Sequence, residues 1–279
     1  MTWRIVADSS CDLPESLFKS DMAKFSNIPL TFMIDGKEYV DNEALDVDGM
    51  LDAMHSCKES SSSACPSPEA FASAYMEADN VIVFTISHNL SGCYNSALIA
   101  KDMVQEQHPE KNIHVIDTLS TAGSMVLCIE KAKELIESGK DFAEVTALMD
   151  EYVKNIYLLF TLSTYENLVK AGRLSKFSGY IATHLGIRTL AAASPEGTID
   201  ILQKIRGEKK VYKAIVTKMQ EQVNLDERRV YIHHCHNLDG ATKIKELLLE
   251  ASPACEVNIL PTRGLTSYYA EEGGLIISY

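Results

Sequence analysis

A chain of 279 residues with 46% hydrophobic and 23% charged side chains can bury a large core, and at roughly 100–200 residues per domain it is expected to form two domains. Its 39 acidic against 26 basic residues, a formal net charge of −13, argue against nucleic acid and against anionic membrane surfaces beyond transient contact, since both repel such a chain at long range. No stretch approaches the ~18 apolar residues of a membrane span. The opening run enters a strand-like segment without a signal-peptide pattern, and seven cysteines without framework spacing point to reduced thiols in a cytoplasm.

Along the first half, strand and helix signals alternate. Trp3–Asp8 is a β-rich run, and Ile28–Ile34 and Lys37–Val40 flank Asp35-Gly36 as a hairpin. Asp46–Cys57 carries apolar residues at helical spacing. A polar run from Ser60 to Ser63 leads to Ser67, placed to cap a helix that Pro68 opens and that extends to about Ala78. Val81–Ser87 and Asn112–Asp117 read as strands buried on both faces. Each is followed by a polar loop, His88–Gly92 or Thr118–Gly123, and a helix, Cys93–Gln107 or one running to Glu137; a further helix covers 142–154. Repeated units of this kind predict a parallel sheet with helices on both faces.

The pattern changes near 156. A strand (Ile156–Leu162), a helix (Thr164–Ala171) and a hairpin (Leu190–Ala193 with Thr198–Ile205) come first. A basic helix (Glu208–Gln222), a strand (Arg229–Cys235), a helix (Leu238–Glu250) and strands at Glu256–Leu260 and Gly274–Ser278 follow. The fold class is therefore α/β in two domains. Residues 1–155 form a Rossmann-like parallel-sheet domain, and residues 156–279 an α/β domain with a mixed or antiparallel sheet.

In an open parallel sheet the ligand crevice lies beyond the carboxyl ends of the strands. Asp8-Ser9-Ser10, Ser87–Gly92 and Thr118–Gly123 would converge there; with Ser63 nearby, hydroxyls and helix-start N–H groups suit a carboxylate or phosphate. Asp8 and Asp117 read instead as carboxylates that tie down loop N–H groups. Capping and turn-making are the plain alternative for every one of these serines. No GxxxxGK[ST], GxGxxG or GxSxG segment is present. His233-His234-Cys235-His236 places His234 and His236 on one strand face, but two ligands without a third make a weak metal site, and a strand end with satisfied histidines is the better reading. Basic residues cluster at Lys170, Arg173 and Lys176 and again at Lys204, Arg206, Lys209, Lys210 and Lys213, as a docking surface or a solvated helix face.

Several segments together resemble the DegV family of bacterial fatty-acid-binding proteins. They are Asp8–Leu13; Ser63–Pro68, similar to TSQPSP; Ser87–Ala97, similar to SSxLSGTYQSA; Asp117–Gly123; Leu168–Ser175, similar to LxxGGRIS; and Leu185–Arg188 followed by Lys204–Lys210. The resemblance spans the whole chain. It implies a cytoplasmic carrier without a cofactor that holds a long-chain fatty acid between two domains, its carboxylate on loops of residues 1–155 and its acyl tunnel covered by residues 156–279, and that presents the carboxylate to a partner fatty acid kinase. By matching position, Ser63, Ser91 and the Gly92 N–H would grip the carboxylate, and Arg173 and Arg206 would face the kinase. Where the family carries a histidine before Gly-Pro-Gly, this chain has Ser267–Gly274, which makes Tyr269 the counterpart. The family's Lys-Pro is Arg188-Thr189 here. The alternatives are an enzyme acting on a small anion in the same crevice, with Ser91 or His233, His234 and His236 as its groups, and a binder of another amphiphilic lipid.

Overall fold

The computed structural model describes residues 1–57, 61–174 and 186–279. Strands β1 (Trp3–Asp8) and β2 (Ala23–Ile28) pair in parallel, and a separate antiparallel sheet of β3 (Thr31–Ile34), β4 (Lys37–Val40) and β5 (Ser62–Ala64) follows. Strands β6 (Asn80–Thr85) and β7 (Asn112–Asp117) complete a four-stranded parallel sheet of order β2-β1-β6-β7. The expected strand Ile28–Ile34 is thus two strands in two sheets. Pro29 lies at the break, where its missing N–H cannot extend a ladder. β5 was not expected either; of the serine run that contains it, Ser60 lies outside the described residues.

The helices of this half are α1 (Val47–Ser56), α2 (Pro68–Tyr75), α3 (Cys93–Gln107), α4 (Gly123–Glu137) and α5 (Phe142–Tyr152). Their starts follow local chemistry. The Asp46 carboxylate accepts from the Gly49 N–H, the Ser67 hydroxyl from the Ala70 N–H ahead of Pro68, and Asp141 and Glu144 form a capping box.

The second half contains β8 (Leu158–Thr161), α6 (Glu166–Lys170), β9 (Ile187–Ala193), β10 (Ile199–Arg206), α7 (Glu208–Gln222) and β11 (Arg229–His234). α8 (Leu238–Ala251), β12 (Glu256–Pro261), α9 (Gly264–Ala270) and β13 (Leu275–Ser278) complete it. The six strands form one mixed sheet of order β10-β9-β8-β13-β11-β12, parallel only between β11 and β12.

Side-chain alternation divides this sheet between two cores. Leu159, Ile232 and Ile277 face α7 and α8 together with Val211, Ile215 and Leu248. Leu158, Phe160 and Ile276 face the first half and share a core with Ile5, Phe84 and Met125. Helix α4 joins the two: it packs on β1 and β6 on one side and on β11 and β13 on the other. Gly123 through Ile129 are accordingly all buried, as a helix between two sheets requires. Gly123 stands where a Cβ would lie 2.6 Å from that of Tyr231, so the sheet approaches within the reach of a single methyl. A division at residue 155 falls between α5 and β8, although the core runs across it.

Candidate functional site

The inner face of the mixed sheet contributes Leu158, Phe160 and Ile276 to an internal cavity. The strand-end loops of the parallel sheet add Ile86, Leu90 and Leu119, and α6 and α9 close it with Leu168, Leu265 and Ala270. Its solvent-accessible volume is about 100 Å³, and its walls are almost wholly apolar. Ser63, Arg173 and Tyr269 line this cavity and also a polar vestibule that Ser61, Asn167 and Lys170 help to form, so these three mark its mouth. Ser91 lines the cavity as well.

Each mouth group is fixed by an identifiable element. Ser63 sits on β5 opposite Phe32, and its Oγ is 3.1 Å from Tyr269 Oη. The neighbouring Tyr268 stacks on Phe32 and has its Oη 2.6 Å from Ser61 Oγ, so α9 is stitched to the small sheet twice. Arg173 follows the turn that ends α6; its Nε donates to the Leu90 carbonyl at 3.0 Å and its Nη1 to that of Ala171. Ser91 stands just before α3; its Oγ accepts from the Cys93 N–H at 3.4 Å and lies 3.1 Å from Cys93 Sγ. A helix start whose N-cap residue, Gly92, has no side chain to cap it suits an anion beside that hydroxyl. Gly92 is the N-cap residue of α3 and is exposed, beside the cavity rather than among its lining residues.

Two buried carboxylates that the sequence reading did not single out as site residues hold α9 in place. Asp41 accepts from the Gly264 and Leu265 N–H groups at 3.0 and 2.9 Å and from the Ser9 hydroxyl at 2.8 Å. Asp12 accepts from the Arg263 N–H at 2.9 Å and from the Thr266 hydroxyl at 2.6 Å. Burial pushes both upward, Asp12 to about 8, against the hydrogen bonds that favour the charged form. A Cβ on Gly264 would fall 2.3 Å from Asp41 Oδ1, so only glycine lets the carboxylate reach the first N–H groups of α9. The sequence signal was faint: a seven-residue helix shows no periodicity, and its anchors lie more than two hundred residues away.

The expectation that all three polar loops open onto an anion site needs correction. Asp8 accepts from the Ser10 and Ile86 N–H groups and from the Ser10 hydroxyl, and burial raises it to about 6. The Ser87 hydroxyl donates to the Gly197 carbonyl and that of Thr118 to the Thr85 carbonyl. Asp117 accepts from the Leu119 N–H, so both aspartates tie down loops as expected. Of these segments, Ser91, Ser120 and Thr121 supply the polar side chains that line the cavity.

The histidine run is also placed differently. His233 is buried in β11 with neither ring nitrogen hydrogen-bonded, rather than satisfied, and burial drops it to about 3. His236 lies beyond the strand with φ +47°, so it does not share a face with His234; it reaches Asp48 at 2.8 Å and Glu272 at 3.3 Å. Among the described residues no group of three His, Cys, Asp or Glu side chains is placed to hold a metal. Ser91 has Cys93 as hydroxyl partner, while His88 bonds to Asp117. Arg206 is exposed at the end of β10, with its backbone opposite Ile187, and does not line the cavity. Ser175, Lys176 and Leu185 lie outside the described residues. Among the described residues no helix is long and apolar enough to cross a membrane.

The chain is 41% identical over all its 279 residues to a DegV domain-containing protein of Streptococcus pyogenes serotype M1, covering 99% of that protein. It superimposes with a TM-score of 0.96, at 40% identity, on the Streptococcus pneumoniae fatty acid kinase B3 protein loaded with linoleic acid, covering 100% of this chain and 99% of that one. A DegV family protein from Eubacterium eligens loaded with heptadecanoic acid matches with a TM-score of 0.93 at 34% identity, over 99% of each chain. The family described as "Uncharacterised protein, DegV family" matches residues 2–279, and the chain belongs to it.

Proposed function

We propose that the protein is a carrier, not a catalyst: it binds a long-chain fatty acid in the internal cavity and presents the carboxylate at the mouth to a partner fatty acid kinase, which forms the acyl phosphate. The observation that carries this reading is the division of one cavity into apolar walls and a polar mouth at Ser63, Arg173 and Tyr269. Relatives of the same fold loaded with linoleic and heptadecanoic acid support the ligand class, and the kinase named for the pneumococcal relative supports the partner.

The energetics assign different work to the two ends. Burying a methylene releases ~0.8 kcal/mol, so a tail of about 14–18 carbons supplies roughly 10–14 kcal/mol before the costs of binding. Hydrogen bonds to the carboxylate add ~1.5–3 kcal/mol each at best and set which end faces outward. Ser63, Ser91, the Gly92 N–H and Tyr269 form the grip, with Tyr269 supplying a phenol hydroxyl at the family's histidine position. Exposed Arg206 lies outside the cavity, where a partner can reach it without displacing the ligand.

Organic extraction of the purified protein and mass spectrometry of the extract test this. One fatty acid per chain, transferred to acyl phosphate when the kinase and ATP are added, is expected. A protein that yields no lipid and takes up none would overturn the reading.

A further inference from the structure

We propose that Cys65 and Cys93 are a thiol pair beside the carboxylate end of the cavity, which a hydroperoxide closes into a disulfide. Neither Cys65 nor Cys93 is in a disulfide. Cys65 is exposed on the link between β5, which carries Ser63, and α2. Its Sγ lies 3.1 Å from where a Cβ on Gly92 would stand and 3.9 Å from Ser96 Oγ. Ser96 is three residues beyond Cys93 on α3, so the two share a helix face and Cys65 packs against that face. Cys93 itself is buried, with its Sγ 3.1 Å from Ser91 Oγ and the Asp8 carboxylate as a second hydrogen-bonding neighbour. The two thiols lie within electrostatic reach of one another. One thiol therefore meets solvent, and the other waits one residue behind Gly92, held protonated by burial and by the Asp8 carboxylate beside it.

The chemistry balances with a hydroperoxide as oxidant. The Cys65 thiolate attacks one oxygen of the O–O bond; that bond breaks, the alkoxide (hydroxide, for hydrogen peroxide) leaves and takes up the proton the Cys65 thiol gave up, and Cys65 becomes a sulfenic acid. Cys93 attacks the Cys65 sulfur; the S–O bond breaks, and the departing hydroxide takes the Cys93 proton and leaves as water. Two thiols lose two electrons, and the hydroperoxide gains them. In the product Ser91 has lost its thiol partner and the Gly92 turn is tied to the β5–α2 link. The effect on binding rests on the carboxylate reading of Ser91 and Gly92; the disulfide itself does not.

The full chain is treated with hydrogen peroxide and digested after glutamate, which cuts at Glu69 and Glu77 and separates the two cysteines. We expect the intact mass to fall by two hydrogens, a Cys65–Cys93-linked peptide to appear, and dithiothreitol to remove it; Cys65→Ser, at the exposed position, should give neither change. Oxidation should weaken fatty-acid binding about tenfold while sparing the methyl ester, and Cys65→Ser should keep its affinity under peroxide. Absence of the linked peptide, oxidation of Cys65 only to sulfinic or sulfonic acid, or unaltered affinity of the cross-linked protein would overturn the proposal. A reduced protein that takes up no fatty acid sinks the carrier reading instead, and the mass change still reads the thiol pair alone.

Discussion

Around the ends of β1, β6 and β7, Ser10 gives its hydroxyl to Asp8, Ser9 to Asp41, Ser87 to the Gly197 carbonyl and Thr118 to the Thr85 carbonyl. Lining the cavity, Ser63 meets the Tyr269 hydroxyl, and Ser91 meets the Cys93 thiol and, at 3.4 Å, the Cys93 N–H. The first group is committed to backbone and carboxylate partners and holds loops in place. The second bonds mainly to other side chains, which under the proposed reading a ligand carboxylate can replace. The lesson is that a serine's neighbours, more than its presence near a strand end, decide whether it binds or braces.

Breaking a bracing group should cost stability first. Asp41→Ala strands two N–H groups and the Ser9 hydroxyl in a buried site, at ~1–3 kcal/mol for an unsatisfied donor, so we expect a loss of about 3–5 kcal/mol by chemical denaturation. A loss under about 1 kcal/mol would mean that water reaches these donors and that the two groups are not different in kind.

The arginines locate where the mouth ends. Arg206→Glu should leave fatty-acid affinity unchanged and cut acyl phosphate formation by the partner kinase more than about thirtyfold, as loss of an interfacial ion pair does. Arg173→Glu should lower both, because Arg173 lines the cavity and braces Leu90. Equal effects of the two reversals on lipid affinity would erase the distinction.

A binding group should behave in the opposite way to Asp41. Ser91→Ala is expected to weaken fatty-acid binding about tenfold, to leave methyl ester binding and the melting temperature unchanged, and to broaden the bound carboxylate's carbon-13 signal. An unaltered carboxylate signal would place the anion elsewhere in the cavity.

The smallest effect concerns pH. The folded state holds a proton on Asp12 up to about 8, whereas the unfolded chain releases it near the ordinary carboxylate value. The Asp12 contribution therefore falls as pH rises through this window, and His233, dropped to about 3, contributes in the opposite direction only below about 6.5. From pH 6.5 to 8 Asp12 should cost about 1–2 kcal/mol of stability. Asp12→Asn, at a position with φ +58° that asparagine tolerates, should remove that decline in denaturation curves taken at the two pH values.

Continuous apolar runs such as Val81–Thr85 made the parallel sheet readable, and the change of pattern after residue 156 made the mixed sheet readable. β5 and α9 were not, because three and seven residues are too few for a period and their order comes from Phe32, Asp12 and Asp41, far away in sequence. Segment likeness pointed to Ser63, Ser91 and Tyr269, and the structure places all three on the cavity wall with Ser63 and Tyr269 in contact. It could not separate Ser87 from Ser91, four residues apart on one loop, since only the packing of the Gly197 turn decides that Ser87 is spent.

Helix α4 is wedged between the two sheets with Gly123 against Tyr231, so the described halves share a packed core rather than an open cleft. For the proposed acyl ligand, exchange then means threading lengthwise through the mouth, tail first inward and head first outward. Residence time becomes a function of chain length: with ~0.8 kcal/mol for each methylene drawn back into water, every added carbon slows departure about fourfold.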